Sequence, residues 1–100
     1  TIWFGSAYGG VISFDGETWR SFGTSNSGLT GNNITAVAVD SENAKWFAVK
    51  DRGVVRYHNG EWRAYSSKEG LGNDSVACIL CGRDSVWFGT GYGVSRYHMK

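Results

Sequence analysis

Two tyrosines, an arginine and a set of polar side chains are the residues of this 100-residue chain best suited to chemistry. Tyr8 and Tyr92 occupy equivalent places in two similar segments, and Arg52 lies between them in the series. Aromatic faces combined with amides suit a carbohydrate or another small polar ligand. The polar candidates that complete this set are Asn32, Asn33, Asn73 and Asp74. The alternative interpretation is that Asn and Asp form turns here and that the tyrosines pack at a rim.

Catalytic groups are less evident than binding groups. Asp40 and Asp84 follow apolar runs as turn residues, and His58 and His98 each follow a tyrosine at corresponding places. Their periodic placement favours a structural role, and neither histidine has an evident acid or nucleophile partner. The sequence contains no nucleophile elbow or phosphate loop. We therefore expect a protein that is not an enzyme and that needs no cofactor or metal.

The only two cysteines, Cys78 and Cys81, have the spacing of a redox or zinc motif. They lie in an apolar, β-branched run that predicts a strand, whereas a redox pair begins a helix. Residues three apart on a strand point to opposite faces, so we expect the two sulfurs to diverge. Zinc would need two further ligands. We predict buried structural thiols.

Composition narrows the class of protein. The chain is 41% hydrophobic and 15% aromatic, which is enough apolar material for one packed domain. The net charge of +1 gives no reason to expect nucleic acid as a partner. No window reaches the roughly 18 apolar residues of a membrane helix, so we expect no membrane insertion in this segment. Fifteen glycines and the absence of proline indicate short strands and tight turns.

An internal repeat organises the sequence. Its landmark is a Trp-Phe dipeptide that recurs after 43 and then 41 residues, at Trp3-Phe4, Trp46-Phe47 and Trp87-Phe88. Each dipeptide is followed by a glycine that opens an apolar run: "GVISF", "GVVRY" and "GVSRY". Self-similarity at this period is typical of repeat architectures.

The repeat predicts ten short strands. In chain order they span 1–6, 10–15, 18–23, 34–40, 44–49, 53–58, 61–66, 75–81, 85–90 and 93–98. Asn-Gly and Asp-Gly in "HNGEW" and "FDGETW" are strong hairpin signals. Four antiparallel strands every forty-odd residues predict an all-β chain of β-propeller blades. We expect a partial blade over 1–23, a full blade over 34–66 and a partial blade over 75–98.

The large rings have a structural explanation in such a fold. A blade cannot bury both faces alone and must stack on its neighbours. We therefore expect Trp46, Tyr57, Trp62 and Tyr65 to fill the space between successive sheets. Stacking on a sugar is the alternative use of these rings.

Propeller topology also predicts where a ligand would bind. Loops that join second to third strands, and outermost to next innermost strands, lie on one face. Here they are "SAYGG" (6–10), "KDRG" (50–53), "TGYG" (90–93), "TSNSGLTGNN" (24–33) and "SKEGLGND" (67–74). All seven candidate binding residues fall in these loops, where propeller function is usually found.

Two segments, "VWFGTGYGVSRY" (86–97) and "GLTGNNITAVAVD" (28–40), resemble the two-component regulator propeller repeat. The resemblance extends over essentially the whole chain, although Ala48-Val49 replaces the usual Gly-Thr. It implies a segment of the extracytoplasmic sensor portion of a bacterial hybrid histidine kinase, which recognises oligosaccharides. The two cysteines, in contrast, fit a reducing compartment slightly better.

Ten strands make about two and a half blades, which are too few to close a ring of about four to eight. Either neighbouring blades belong to the same natural chain, or copies of this chain complete the ring as a homo-oligomer. Two copies would supply six sheets and three would supply nine, so we favour a dimer over a trimer.

Three functions remain open at this point. The first is a ligand-binding or sensing propeller, with an oligosaccharide as a candidate ligand. The second is a structural or protein–protein scaffold, and the third, which we rank last, is a polysaccharide-active enzyme. The fold does not select among them.

Overall fold

The chain forms ten β-strands. The computed structural model describes residues 1–66, 75–91 and 93–98, and this part of the chain contains no helix. The strands are β1 (Ile2–Gly5), β2 (Val11–Phe14), β3 (Trp19–Phe22), β4 (Ile34–Val39), β5 (Lys45–Val49), β6 (Gly53–His58), β7 (Glu61–Tyr65), β8 (Val76–Cys81), β9 (Ser85–Thr90) and β10 (Gly93–His98). Each strand begins and ends within one residue of its predicted range.

The strands form three antiparallel sheets in chain order. The first sheet is β1-β2-β3, the middle sheet is β4-β5-β6-β7, and the third sheet is β8-β9-β10. The innermost strands of the middle and third sheets are joined by a hydrogen bond from Thr35 Oγ1 to the Val76 carbonyl oxygen (2.9 Å). The Ile34 amide likewise donates to the Ser6 carbonyl oxygen at the end of β1 (2.8 Å). The three sheets therefore stack side by side around one inner edge.

Aromatic and branched side chains fill the two spaces between the sheets. Trp46 and Phe47 have no solvent exposure, although they are adjacent and point in opposite directions. Phe47 packs toward the first sheet with Tyr57 and Trp62, whereas Trp46 packs toward the third sheet with Tyr65. The prediction that these aromatic residues pack between successive sheets is confirmed.

The two predicted hairpins differ in detail. Asn59 and Gly60 both have positive φ, at 52° and 83°, and they connect β6 to β7 as a two-residue turn. The β2–β3 connection is longer, and Asp15 Oδ1 accepts hydrogen bonds from the Glu17 and Thr18 amides (2.9 and 2.8 Å). These bonds hold the pKa of Asp15 below its ordinary value.

Gly53 opens β6 in a conformation that requires glycine. Its φ is +84°, and a Cβ at this position would overlap the Tyr65 carbonyl oxygen of the paired strand. Gly60 has a similar φ of +83°, but a Cβ there would meet nothing within 4 Å. The two glycines therefore share the same backbone strain and differ in the space beside them.

We expect Gly53→Ala to lower the free energy of unfolding by about 2–4 kcal/mol, because it adds a backbone clash to the positive-φ strain. Gly60→Ala, the matched control, should cost only about 1 kcal/mol, since it adds the strain alone. Urea denaturation followed by circular dichroism measures both. Equal losses in the two variants would contradict the clash.

Candidate functional site

Three of the five predicted binding loops are joined to one another at one end of the sheets. The Gly10 amide, at the end of the β1–β2 loop, donates to the Asn32 carbonyl oxygen (2.8 Å). The Lys50 amide, at the start of the β5–β6 loop, donates to the Asn33 carbonyl oxygen (2.9 Å). Three loops distant in sequence thus form one surface, which we call the loop face (residues 6–10, 24–33 and 50–52).

Tyr8 projects from the loop face into solvent. Ser6 closes its loop, since the Ser6 hydroxyl oxygen accepts a hydrogen bond from the Gly9 amide (2.7 Å) and the Ser6 amide donates to the Gly10 carbonyl oxygen (3.0 Å). The Tyr8 side chain is 89% exposed, the highest value among the large exposed hydrophobic residues of the described chain. A hydrogen-bonded loop therefore presents a ring that no described side chain covers, as a stacking platform requires.

Arg52 lies beside the β3–β4 loop on the same face. Its side chain crosses over Gly31, where an added Cβ would lie 3.1 Å from Arg52 Cδ. The Arg52 amide donates to the Val49 carbonyl oxygen (3.0 Å), which closes the turn. Among the described residues the Arg52 guanidinium forms no ion pair.

Asn32 and Asn33 fasten the loops together. Asn32 Oδ1 accepts a hydrogen bond from the Thr24 amide (3.0 Å), and both backbone carbonyls are engaged as described above. Asn32 is exposed and Asn33 is half-buried. The structure therefore brings Tyr8, Arg52, Asn32 and Asn33 to one face and gives Asn32 a structural task there. The other three candidates, Asn73, Asp74 and Tyr92, lie outside the described residues.

A buried carboxylate lies at the opposite end of the sheets. Asp40 has a fully buried side chain, and its Oδ2 accepts a hydrogen bond from Trp46 Nε1 (2.7 Å). Its Oδ1 accepts from the Glu42 and Ala44 amides (2.9 and 3.0 Å), and Arg56 Nη2 lies 3.5 Å from Oδ2. Burial opposes ionisation of Asp40, but these donors and the Arg56 charge outweigh it and hold its pKa below the ordinary value.

This arrangement gives Asp40 the structural role that was predicted, although the periodic placement on which the prediction rested is not observed. Asp40 connects the β4–β5 turn, the buried indole and β6. Asp84 does not occupy the equivalent place, because the β8–β9 turn has only residues 82–84 and Gly82 is the one that follows the strand. Asp84 is exposed and lies 4.0 Å from His98 Nε2.

A polar cleft, which the sequence did not predict, opens between the middle and third sheets. It has a volume of about 170 Å³ and is lined by Arg56, His58, Glu61, Arg63, Tyr65 and Tyr97. The Tyr65 and Tyr97 rings lie 5.4 Å apart, and burial together with the Tyr97 hydroxyl raises the pKa of Tyr65. In the preceding interface the equivalent rings, Phe22 and Tyr57, contact Trp62 at 5.6 and 4.3 Å. The cleft therefore corresponds to the place that Trp62 fills one repeat earlier.

The cysteines differ from the prediction in one respect. Cys78 and Cys81 are free and point to opposite faces of β8, as expected. Cys81 packs against the core, and burial, with the Asp40 charge, raises the pKa of its thiol. Cys78 is exposed, so its predicted burial is wrong; it lies on the outer face of the third sheet, which no described residue covers. Within the described residues, no three His, Cys, Asp or Glu side chains are grouped to hold a metal ion.

No helix long and apolar enough to cross a membrane occurs in the described residues. No family model matches the sequence, and no curated protein sequence matches it either.

Solved structures, in contrast, match over almost the whole chain. The extracellular domain of the hybrid two-component system protein BT3049 of B. thetaiotaomicron matches 95% of this chain with a TM-score of 0.76 and 27% identity. The extracellular domain of BT4673 from the same organism matches 94% with a TM-score of 0.72 and 21% identity. A further structure of the BT4673 extracellular domain, described as a one-component system, matches 94% of this chain with a TM-score of 0.73 and 21% identity.

The matched stretch is a small part of each neighbour. This chain spans 14% of the BT3049 chain and 13% of each BT4673 chain. A hundred residues with three sheets are thus a partial propeller rather than a closed ring. The chain is a run of β-propeller blades, and the resemblance to the two-component regulator propeller type is confirmed by its similarity to the extracellular domains of these two-component system proteins.

Proposed function

We propose that this chain is part of a non-enzymatic sensing β-propeller outside the cytoplasm, and that its loop face binds a polar ligand such as an oligosaccharide. The observation that carries the proposal is the similarity, over 95% of the chain, to the extracellular domain of a two-component system protein. Loops on a rigid scaffold are where propellers place binding residues.

The loop face supplies the chemistry that a sugar requires. Tyr8 offers an uncovered ring for stacking against the apolar face of a pyranose. Arg52 offers five N–H donors to hydroxyl or carboxylate oxygens, and it is held in place by its turn and by Gly31. The hydrogen bonds between the loops keep these two side chains on one preorganised surface, which reduces the entropy lost on binding.

The chain should therefore bind a neutral or acidic oligosaccharide in a glycan screen, and Tyr8→Ala and Arg52→Ala should each weaken binding by at least about fivefold, or about 1 kcal/mol. Isothermal titration of the best glycan with each variant measures the effect. Both side chains are exposed, so neither substitution should change the unfolding midpoint.

Arg83→Ala is the matched control. It removes the same charge from an exposed turn at the other end of the sheets and should leave the affinity unchanged. Affinity lost equally in all three variants would point to a site elsewhere. Absence of binding to any glycan would favour the scaffold function, for which the exposed apolar faces described next are the specific support.

A further inference from the structure

Exposed apolar side chains concentrate on the two outer faces of the stack. Eight large hydrophobic side chains are exposed among the described residues, and six of them lie on these faces. The leading face, on the first sheet, carries Ile2, Phe4 and Trp19; the trailing face, on the third sheet, carries Leu80, Trp87 and Val94. Contiguous apolar surface of this kind usually marks an interaction site.

The contacts between the sheets inside the stack show which side chains each outer face could contact. Trp3 of the first sheet packs against Phe47 of the middle sheet, with ring centroids 5.8 Å apart and planes inclined by 50°. Trp46 of the middle sheet packs against Phe88 of the third sheet at 5.4 Å and 55°. In each interface, the tryptophan of one Trp-Phe dipeptide meets the phenylalanine of the next dipeptide.

Two members of this series have no partner of that kind among the described residues. Trp87, on the trailing face, is the tryptophan of the last dipeptide and is 39% exposed. Phe4, on the leading face, is the phenylalanine of the first dipeptide and is 44% exposed. The trailing face thus presents the tryptophan of the repeated contact, and the leading face presents the phenylalanine.

Each of these two rings has neighbours with counterparts beside a buried ring. The Arg96 guanidinium lies 5.5 Å above the Trp87 ring, just as that of Arg56 lies 5.5 Å above the Trp46 ring. The trailing face therefore repeats the arginine–tryptophan contact of the buried face that carries Trp46.

The leading face matches its buried equivalent in the same way. The ring centroids of Trp19 and Phe14 lie 4.4 Å apart, and those of Trp62 and Tyr57 lie 4.3 Å apart in the middle sheet. These rings flank Phe4 and Phe47 respectively. Both outer faces are thus preorganised for the contact that the interior makes twice.

We propose that the trailing face binds the leading face of a second copy of this chain, with Trp87 of one copy packed against Phe4 of the other. A second copy is the occupant because one chain carries both partners of the contact, so that the exposed tryptophan of one copy can meet the exposed phenylalanine of the other. The interface is head-to-tail, and two such contacts in one pair would close a ring of six sheets. This inference does not depend on the proposed ligand.

Charge substitution on one face at a time tests the pairing. Trp87→Glu keeps the leading face intact, and Phe4→Glu keeps the trailing face intact. Light scattering on a chromatographic peak should give an assembly of at least two copies for the unsubstituted chain and a monomer for each variant. An equimolar mixture of the two variants should form a heterodimer, because one intact face of each kind remains.

The mixture of the two variants distinguishes a head-to-tail contact from an interface in which one face pairs with the same face of another copy. A monomeric unsubstituted chain would overturn the proposal, as would a mixture no heavier than its components or self-association of either variant alone. Circular dichroism checks that each variant is folded. If a charged variant is unfolded, Leu80→Lys and Ile2→Lys repeat the experiment at positions that are 69% and 55% exposed.

Discussion

Trp46→Ala should be among the most destabilising single substitutions in this chain, lowering the free energy of unfolding by about 4 kcal/mol. The side chain has no solvent exposure, and its ring contacts Tyr65, Phe88 and Tyr97 at centroid distances of 5.7, 5.4 and 5.2 Å. Its removal leaves a cavity between the middle and third sheets and withdraws a hydrogen bond from Asp40. Urea denaturation at a fixed protein concentration measures the loss.

Two further variants separate the contributions to that loss. Trp46→Phe keeps an aromatic ring in the space but removes the indole N–H, so it should cost about 1–2 kcal/mol less than the alanine variant. Tyr8→Ala removes a large ring that is 89% exposed and should change the stability by less than about 0.5 kcal/mol. A Trp46→Ala variant as stable as Tyr8→Ala would mean that the middle and third sheets do not depend on this packing.

The strands were predictable because local sequence determines them. Apolar residues alternate or run together over four to six positions, and each run is bounded by a turn signal such as Asn59-Gly60. The Trp-Phe repeat then provided the order of the sheets. It also predicted which rings would pack between them, since a residue's place in the repeat determines its face.

The chemistry at the two ends of the sheets was harder to predict, because it depends on contacts between segments distant in sequence. Asp40 reads as a turn residue in sequence, and its burial follows from Trp46 and Arg56, which reach it from β5 and β6. Asn32 reads as a candidate ligand group, yet its side-chain oxygen is used by Thr24. The spacing of residues within one strand predicts neither the partners of Asp40 nor the partner of Asn32.

Local sequence patterns also could not predict which residues of the outer faces are buried. Cys78 lies in a run as apolar as that of a buried strand, and its exposure follows from the absence of a described sheet beyond the third one. The same absence exposes Trp87 and Leu80 on that face. Sequence patterns predict on which face of its sheet a residue lies, whereas its burial depends on what stacks on that face.

Asp40→Asn should lower the free energy of unfolding by about 3 kcal/mol at neutral pH. The carboxylate accepts three hydrogen bonds, from Trp46 Nε1 and the Glu42 and Ala44 amides, and an amide has one oxygen to offer in place of two. The substitution also leaves the Arg56 guanidinium, which lies 3.5 Å from Oδ2, without that counter-charge. Asp51→Asn is the matched control, because Asp51 is an exposed turn residue with a φ of 61° that asparagine adopts readily. That control should change the stability by less than about 0.5 kcal/mol.

The stability contributed by Asp40 should also depend on pH in a defined direction. Its pKa is lower in the folded chain than the ordinary value of 3.8, so the folded state binds the proton more weakly than the unfolded state does. The contribution is therefore complete above 3.8 and is lost as the pH falls from there through the folded pKa. Denaturation curves of the unsubstituted chain and Asp40→Asn should differ by a constant amount at neutral pH and converge in acid. A difference that persists unchanged to the lowest pH at which the chain folds would mean that the shape of the side chain, and not its charge, stabilises the junction of β4, β5 and β6.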